Sequence, residues 1–178
     1  MSVPIRGVLT SIEAFDHYLM RKVHGWPAPR WIRWWMLGAT RGGDGWLWAV
    51  LGVAIAIYGG PRGTLAALQS TLAVGAGIVL FLGLKRLAGR RRPCAIAPHC
   101  WSTLLPPDQF SFPSGHTITA FAAVVPLGAA FPEAAPGLYL CATSIGISRI
   151  LLGMHFLSDV VAGAALGGAL GRLLLSCS

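Results

Sequence analysis

Five apolar stretches, bounded mostly by glycine, proline or charged residues, constrain this chain more than any other feature of its sequence. They run from about Trp46 to Tyr58, Thr64 to Leu84, Ser114 to Phe131, Pro136 to Ile147 and Phe156 to Leu175. In hydrocarbon every backbone N–H and C=O needs a partner within the protein, so such stretches cross a bilayer as helices. A hydrocarbon core of ~30 Å takes about 20 residues at ~1.5 Å each. By that measure Thr64 to Leu84 is the clearest crossing. Trp46 to Tyr58 is short, and is expected to begin earlier or to be shielded by its neighbours. Only 11% of residues are charged and mean hydropathy is +0.64, whereas a soluble domain carries roughly 25% charged residues. The expected fold class is all-α: a polytopic membrane helix bundle of about five transmembrane helices, with residues 1–178 as one membrane-embedded domain.

The formal net charge of +8 calls for anionic partners. A nucleic-acid binder presents its basic residues on a water-facing surface, and the long apolar spans argue against one. Nucleic acid is therefore excluded as a partner, and anionic lipid head groups are expected instead. Cys94, Cys100, Cys141 and Cys177 form no C-x-x-C pair, so neither a zinc site nor a thioredoxin-like motif is signalled. Cys94 and Cys100 share a loop and could bridge in an oxidising compartment, although nearness in sequence does not supply disulfide geometry. Met1 to Thr10 lacks an apolar core of signal-peptide length, and no cleaved signal is expected.

Residues 1–44 read as an interfacial segment. Thr10 and Glu13 have capping-box spacing, and Ile12, Phe15, Leu19 and Val23 recur at helical intervals. The other face, with Glu13, Asp16, His17 and Arg21, is too charged to span, so this amphipathic helix is expected to lie in the interface plane. Trp31, Trp34 and Trp35 among Arg30 and Arg33 mark the head-group level. In the last span Gly163, Gly167 and Gly171 fall on one helical face and permit close backbone packing.

Five crossings bring three regions to one side of the membrane: the N-terminal segment, the connection from Lys85 to Pro113, and the turn from Ser148 to Phe156. Connections as long as the second are usually functional. Polar clusters stand there at span ends, where such residues are costly and tend to serve function. They are Lys85 with Arg92-Pro93, then Pro113-Ser114-Gly115-His116, then Ser148-Arg149 with His155 and Asp159. Singly, each has an ordinary explanation. The cations could anchor to head groups, Ser114 could be a helix N-cap, and the histidines and Asp159 could be satisfied within the bundle.

Together these residues supply what phosphate chemistry requires. Lys85, Arg92 and Arg149 can neutralise phosphoryl oxygens, the arginines with planar bidentate donors. Backbone N–H groups at Ser114 and Gly115, where a span begins, add helix-terminus donors. His155 and Asp159, four apart, would share a helical face, the carboxylate holding one ring N–H so that the other nitrogen attacks phosphorus. His116, on a different helix, would protonate the departing oxygen, giving a phosphohistidine that water hydrolyses. No metal ligand and no cofactor is called for.

Lys85-x6-Arg92-Pro93, Pro113-Ser114-Gly115-His116 and Ser148-Arg149-x5-His155-x3-Asp159 resemble the three-part signature of the type 2 phosphatidic acid phosphatases, a lipid phosphatase superfamily that shares its site with vanadium haloperoxidases. The match is complete and ordered, and covers residues 85–159, the catalytic motif region. The resemblance implies an α-helical membrane bundle, metal-independent hydrolysis of a phosphomonoester or pyrophosphate, and roles for Lys85, Arg92, Ser114, Gly115, His116, Arg149, His155 and Asp159 like those read from the residues. It implies a lipid phosphate as substrate, among them phosphatidate, phosphatidylglycerophosphate and undecaprenyl diphosphate, and the compact size is like that of bacterial members. Many relatives have six crossings where five are counted here.

Two other classes stay open. A vanadate-dependent haloperoxidase would use the same anion pocket, but membrane embedding stands against it. A lipid-phosphate binding protein without turnover would need only the cations, and the pair His116 and His155 stands against that. Apart from the motifs, basic residues crowd the site side, with Arg62 and Arg172 on the far side, so the positive-inside rule turns the site toward the cytoplasm. Resemblance to bacterial lipid phosphatases implies the extracytoplasmic face of the inner membrane, and a basic rim around a phosphate site has its own reason to exist. The extracytoplasmic face is the expectation.

Overall fold

The computed structural model describes residues 3–97 and 108–177. Cys100, and with it any pairing to Cys94, lies outside these residues. The chain runs through α1 (Val3–His24), α2 (Arg30–Gly42), α3 (Trp46–Tyr58), α4 (Gly60–Ala88), the single turn α5 (Pro93–Ile96), α6 (Gly115–Ala130), α7 (Ala135–Leu151) and α8 (Leu157–Ser176). Among the described residues the only extended pairing is an isolated antiparallel bridge between Arg91 and Phe110. The all-helical class expected from the apolar periodicity is the one observed.

α6 forms the centre, with Ile118, Ala120, Ala122 and Val124 fully buried and α8, α4 and α7 packed around it. Small residues let α8 come close. A Cβ on Gly167 would stand 2.3 Å from the Ile118 carbonyl oxygen, and one on Gly171 would stand 2.7 Å from Val125 Cβ. The glycine stripe therefore sets two backbones in direct contact, as its spacing predicts. Polar residues of α4 cross-link the bundle where water is scarce: Ser70 Oγ donates to the Ala123 carbonyl at 3.0 Å, and Gln69 Nε2 donates to the Leu174 carbonyl at 3.2 Å.

Several boundaries differ from the sequence expectation. α3 does not begin before Trp46, because Gly45 adopts φ 98° and separates it from α2. α4 starts at Gly60 and ends where Gly89 turns left-handed at φ 57°. α7 continues to Leu151, so Ser148 and Arg149 occupy its last turns rather than the following loop. α4 and α8 are long and apolar enough to cross a membrane, and α3, α6 and α7 are shorter apolar helices.

The largest correction concerns α1. It begins seven residues before Thr10, whose hydroxyl donates to the Gly7 carbonyl at 2.9 Å, so no capping box forms there. Asp16, expected on the polar face of the helix, is 2% exposed, whereas Val8, Leu9, Ile12, Phe15 and Tyr18 are exposed. The reason is tertiary. The Asp16 side packs against α7 and α8, where Ser158 and Arg90 satisfy the carboxylate, and Met20 and Val23 are buried with it, while Val8, Leu9, Ile12 and Phe15 face outward.

Candidate active site

The α2–α3 turn, the end of α4, the start of α6, the end of α7 and the turn before α8 meet around a cavity of about 630 Å³. Of the eight residues singled out by sequence, Lys85, Arg92, Gly115, His116, Arg149 and His155 line it. Ser114 and Asp159 stand behind its wall, both 0% exposed.

Arg92 adopts an extended conformation ahead of Pro93, the first residue of α5, and its side chain is almost fully buried. Nε donates to the Asp108 carbonyl and Nη2 to Asp108 Oδ1, both at 2.8 Å, while Nη1 donates to the Met154 carbonyl at 3.0 Å. Nη1 also lies 3.1 Å from His155 Nε2. Lys85, in the last turn of α4, places Nζ 2.5 Å from Asp108 Oδ2 and 5.2 Å from the centre of the Phe81 ring. Burial alone would raise the Asp108 carboxyl, but the hydrogen bonds from Lys85 and Arg92 hold it at about 2, so it stays ionised between the two cations. Arg149 donates from Nη1 to Thr40 Oγ1 at 2.5 Å, while its buried Nε has no hydrogen-bond partner among the described residues. A buried unpaired donor costs about 1–3 kcal/mol, which an incoming phosphoryl oxygen would relieve.

His155 and Asp159 do not share a helical face. His155 precedes α8, and Asp159 sits in its first turn, where Oδ2 accepts from the Phe156 N–H at 2.8 Å. This N-terminal capping holds one of the two carboxylate oxygens. Its Oδ2 faces His155 Nδ1 at 3.7 Å, a separation at which it acts through charge. Burial, opposed by Asp159 and aided by Arg149 and Arg92, lowers the His155 ring to about 3, so it is neutral near pH 7. With Nε2 accepting from Arg92, the hydrogen-bond pattern assigns the ring proton to Nδ1, facing the carboxylate. The Nε2 lone pair thus faces the cation side, where it accepts from Arg92 until a phosphoryl group takes that place.

Ser114 caps α6 by position without a side-chain cap bond. Its Oγ accepts from Thr117 Oγ1 at 2.9 Å and its N–H donates to the Asp159 carbonyl at 3.1 Å. His116 follows in the first turn, and its Nε2 lies 2.9 Å from Asp44 Oδ1 in the α2–α3 turn. The ring rests on Gly43, where a Cβ would come within 2.8 Å of His116 Cδ2.

Sequence reasoning missed Asp44, Asp108, Thr40 and the pair Asp16 and Arg90. One signal could have found the acids. The chain has six Asp and Glu residues, and Asp16, Asp44, Asp108 and Asp159 each pair with a cation or histidine of this region. Among the described residues no group of three His, Cys, Asp or Glu side chains converges as metal ligands do.

A family model described as the PAP2 superfamily matches residues 64–178. The chain is 37% identical over 132 residues to decaprenylphosphoryl-5-phosphoribose phosphatase of Mycobacterium tuberculosis, covering 73% of this chain and 70% of that protein. It is 36% identical over 89 residues to lipid A 1-phosphatase of Rhizobium etli, covering 48% of this chain and only 38% of that protein. Among solved structures it superposes with a TM-score of 0.74 and 26% identity on the transmembrane PAP2 type phosphatidylglycerolphosphate phosphatase of Bacillus subtilis, covering 94% of this chain and 86% of that one. Aquifex aeolicus LpxE gives 0.75 and 27%, covering 89% and 93%.

Proposed function

The chain belongs to the PAP2 superfamily and is a membrane phosphatase of that family, and from this premise we propose that it hydrolyses a phosphomonoester or pyrophosphate of a membrane lipid through a phosphohistidine at His155. The observation that carries the proposal is one cavity with two chemistries. At one end stand Lys85, Arg92, Arg149, His116 and His155. The remainder is walled by apolar side chains, among them Trp48, Val74, Ile78, Phe81 and Leu127. The wall follows α4 from Ala67 to Lys85, which is ~27 Å at 1.5 Å per residue, close to the ~30 Å depth of a hydrocarbon core. A lipid chain can lie along that wall while its phosphate reaches the cations.

In the first step His155 Nε2 forms the bond to phosphorus and the bond to the lipid oxygen breaks, that oxygen taking a proton from His116. Water then attacks the phosphohistidine, its proton passing to the His116 ring left deprotonated by the first step, and the P–N bond breaks to release phosphate and the free imidazole. Lys85, Arg92 and Arg149 hold the phosphoryl oxygens throughout, and the Gly115 N–H at the start of α6 adds a backbone donor. Preorganised donors in a water-poor site are worth more than in bulk water. Asp44 fixes the rotation of the His116 ring. Residues 1–178 act as one catalytic unit, with α3, α4, α6, α7 and α8 as five crossings and the site on the extracytoplasmic face of an inner membrane.

The relatives bear names of phosphatases for lipid A, a polyprenyl phosphoribose and phosphatidylglycerolphosphate. The test is phosphate release from a panel of phosphatidate, phosphatidylglycerophosphate, undecaprenyl diphosphate and lipid A in mixed micelles. Release from at least one is expected, and no release from any lipid phosphate contradicts the proposal.

Two further results are expected. Three cations supply the charge that a metal would otherwise provide, so turnover is unchanged by chelator; activity lost in chelator and restored by magnesium contradicts this. His116→Ala should slow lipid substrates, which have poor leaving groups, by about 100- to 10,000-fold, the range for a lost general acid. An aryl phosphate should lose far less, and equal losses on both would reassign His116 to binding.

A further inference from the structure

Behind the nucleophile lies a buried network that the mechanism above does not use. Asp159 is fully buried, with Oδ2 committed to the Phe156 N–H and turned toward His155. Its other oxygen, Oδ1, accepts from Arg90 Nη1 at 2.7 Å. Arg90 reaches on from Nη2 to Asp16 Oδ2, also at 2.7 Å, and from Nη1 to Ser158 Oγ at 2.7 Å, with its guanidinium 4.2 Å from the centre of the Phe156 ring. Asp16 in turn accepts from the Ser158 N–H at 3.1 Å and from the Ser158 hydroxyl. The planar fork of one arginine thus joins two buried carboxylates 143 residues apart, Asp16 and Asp159, one of them on α1, outside residues 64–178 matched by the family model.

We infer that Asp16 and Arg90 are positioning residues for the nucleophile, fixing the place and charge of Asp159 behind the His155 ring. A buried carboxylate beside a neutral imidazole is costly unless paired, and Arg90 supplies the pairing. Burial would lower the proton affinity of Arg90, but its hydrogen bonds to Asp16 and Asp159 raise it, so the cation persists. Arg90 alone would cancel the charge of Asp159. With Asp16 the three sum to one negative charge, which remains to balance the positive charge that the ring acquires on phosphorylation. Asp16 also bonds both the backbone and side chain of Ser158, the residue next to Asp159, and so fixes the start of α8.

This inference rests on the phosphohistidine reading, and its test separates the two. The full chain in micelles is assayed on a lipid phosphate as wild type, Asp16→Asn, Arg90→Lys, Asp159→Asn and the double variant Asp16→Asn with Asp159→Asn. Asp16→Asn and Arg90→Lys are expected to lower kcat about 10- to 100-fold, the range seen for partners that orient functional histidines in metal sites. KM and inhibition by inorganic phosphate should stay within about twofold, since Lys85, Arg92 and Arg149 are untouched. The double variant should be no slower than Asp159→Asn alone, because residues in one network are not additive. Losses that multiply in the double variant, wild-type kcat in Asp16→Asn, or a raised KM with kcat intact would overturn the inference. Should Asp16→Asn fail to fold, Arg90→Lys alone and combined with Asp159→Asn decides by the same criteria. A wild type with no turnover of any lipid phosphate would instead sink the underlying reading.

Discussion

His155→Ala is expected to abolish lipid phosphate turnover while the bundle stays folded and inorganic phosphate still binds. The side chain is 2% exposed but borders the cavity, so its loss enlarges an existing space rather than opening a void in the α6 core. Arg92 keeps its bonds to Asp108 and Met154, and Arg149 keeps Thr40. The proposed anion site should therefore survive loss of the proposed nucleophile. Asp159→Asn should be milder, since the amide oxygen can still accept from the Phe156 N–H while the charge behind the ring is lost. Removing electrostatic help of this kind costs about 2.7–4 kcal/mol, roughly 100- to 1000-fold at ~1.4 kcal/mol per decade. Steady-state rates with calorimetric phosphate titration check both. A His155→Ala protein that binds no phosphate would place the ring among the binding groups instead.

Gly167→Ala is expected to have the largest effect on stability. The added methyl would lie 2.3 Å from the Ile118 carbonyl oxygen and 3.0 Å from the Ala122 nitrogen, both backbone atoms that cannot step aside alone. Relief requires α6 and α8 to separate, and these helices carry His116 and Asp159. The cost should exceed about 4 kcal/mol, the far end of single-substitution effects, and appear as loss of monodisperse protein in detergent. Gly168→Ala is the control, because nothing lies within 4 Å of its Cβ position, and it should melt like wild type. Equal melting of the two variants would mean that the helices are not in backbone contact at Gly167.

These two sites differ in how readable they were. The stripe of Gly163, Gly167 and Gly171 has the period of a helix face, so its role could be taken from spacing alone. The motif residues could be placed by their position at span ends, and the cavity gathers six of the eight. The partnership of His155 and Asp159 was legible but its geometry was not. Four-residue spacing suggested two neighbours on a helix, whereas the capping bond from Phe156 starts the helix between them. Asp44 and His116 meet across 72 residues and Asp16 and Arg90 across 74, distances that no local periodicity encodes. The burial of Asp16 on α1 was missed for the same reason. Charge on a helix face usually marks water, and only the distant Arg90 and the α8 terminus make burial of Asp16 favourable.

The central claim, a phosphoryl group carried by His155, is tested most directly by rapid acid- and base-quench of wild-type protein with a lipid labelled at the scissile phosphate. Protein-bound label that is lost in acid, persists in base, maps to His155 and is absent from His155→Ala is the expected result. Label on a serine, or no trapped label together with inversion at phosphorus from direct attack by water, would contradict it.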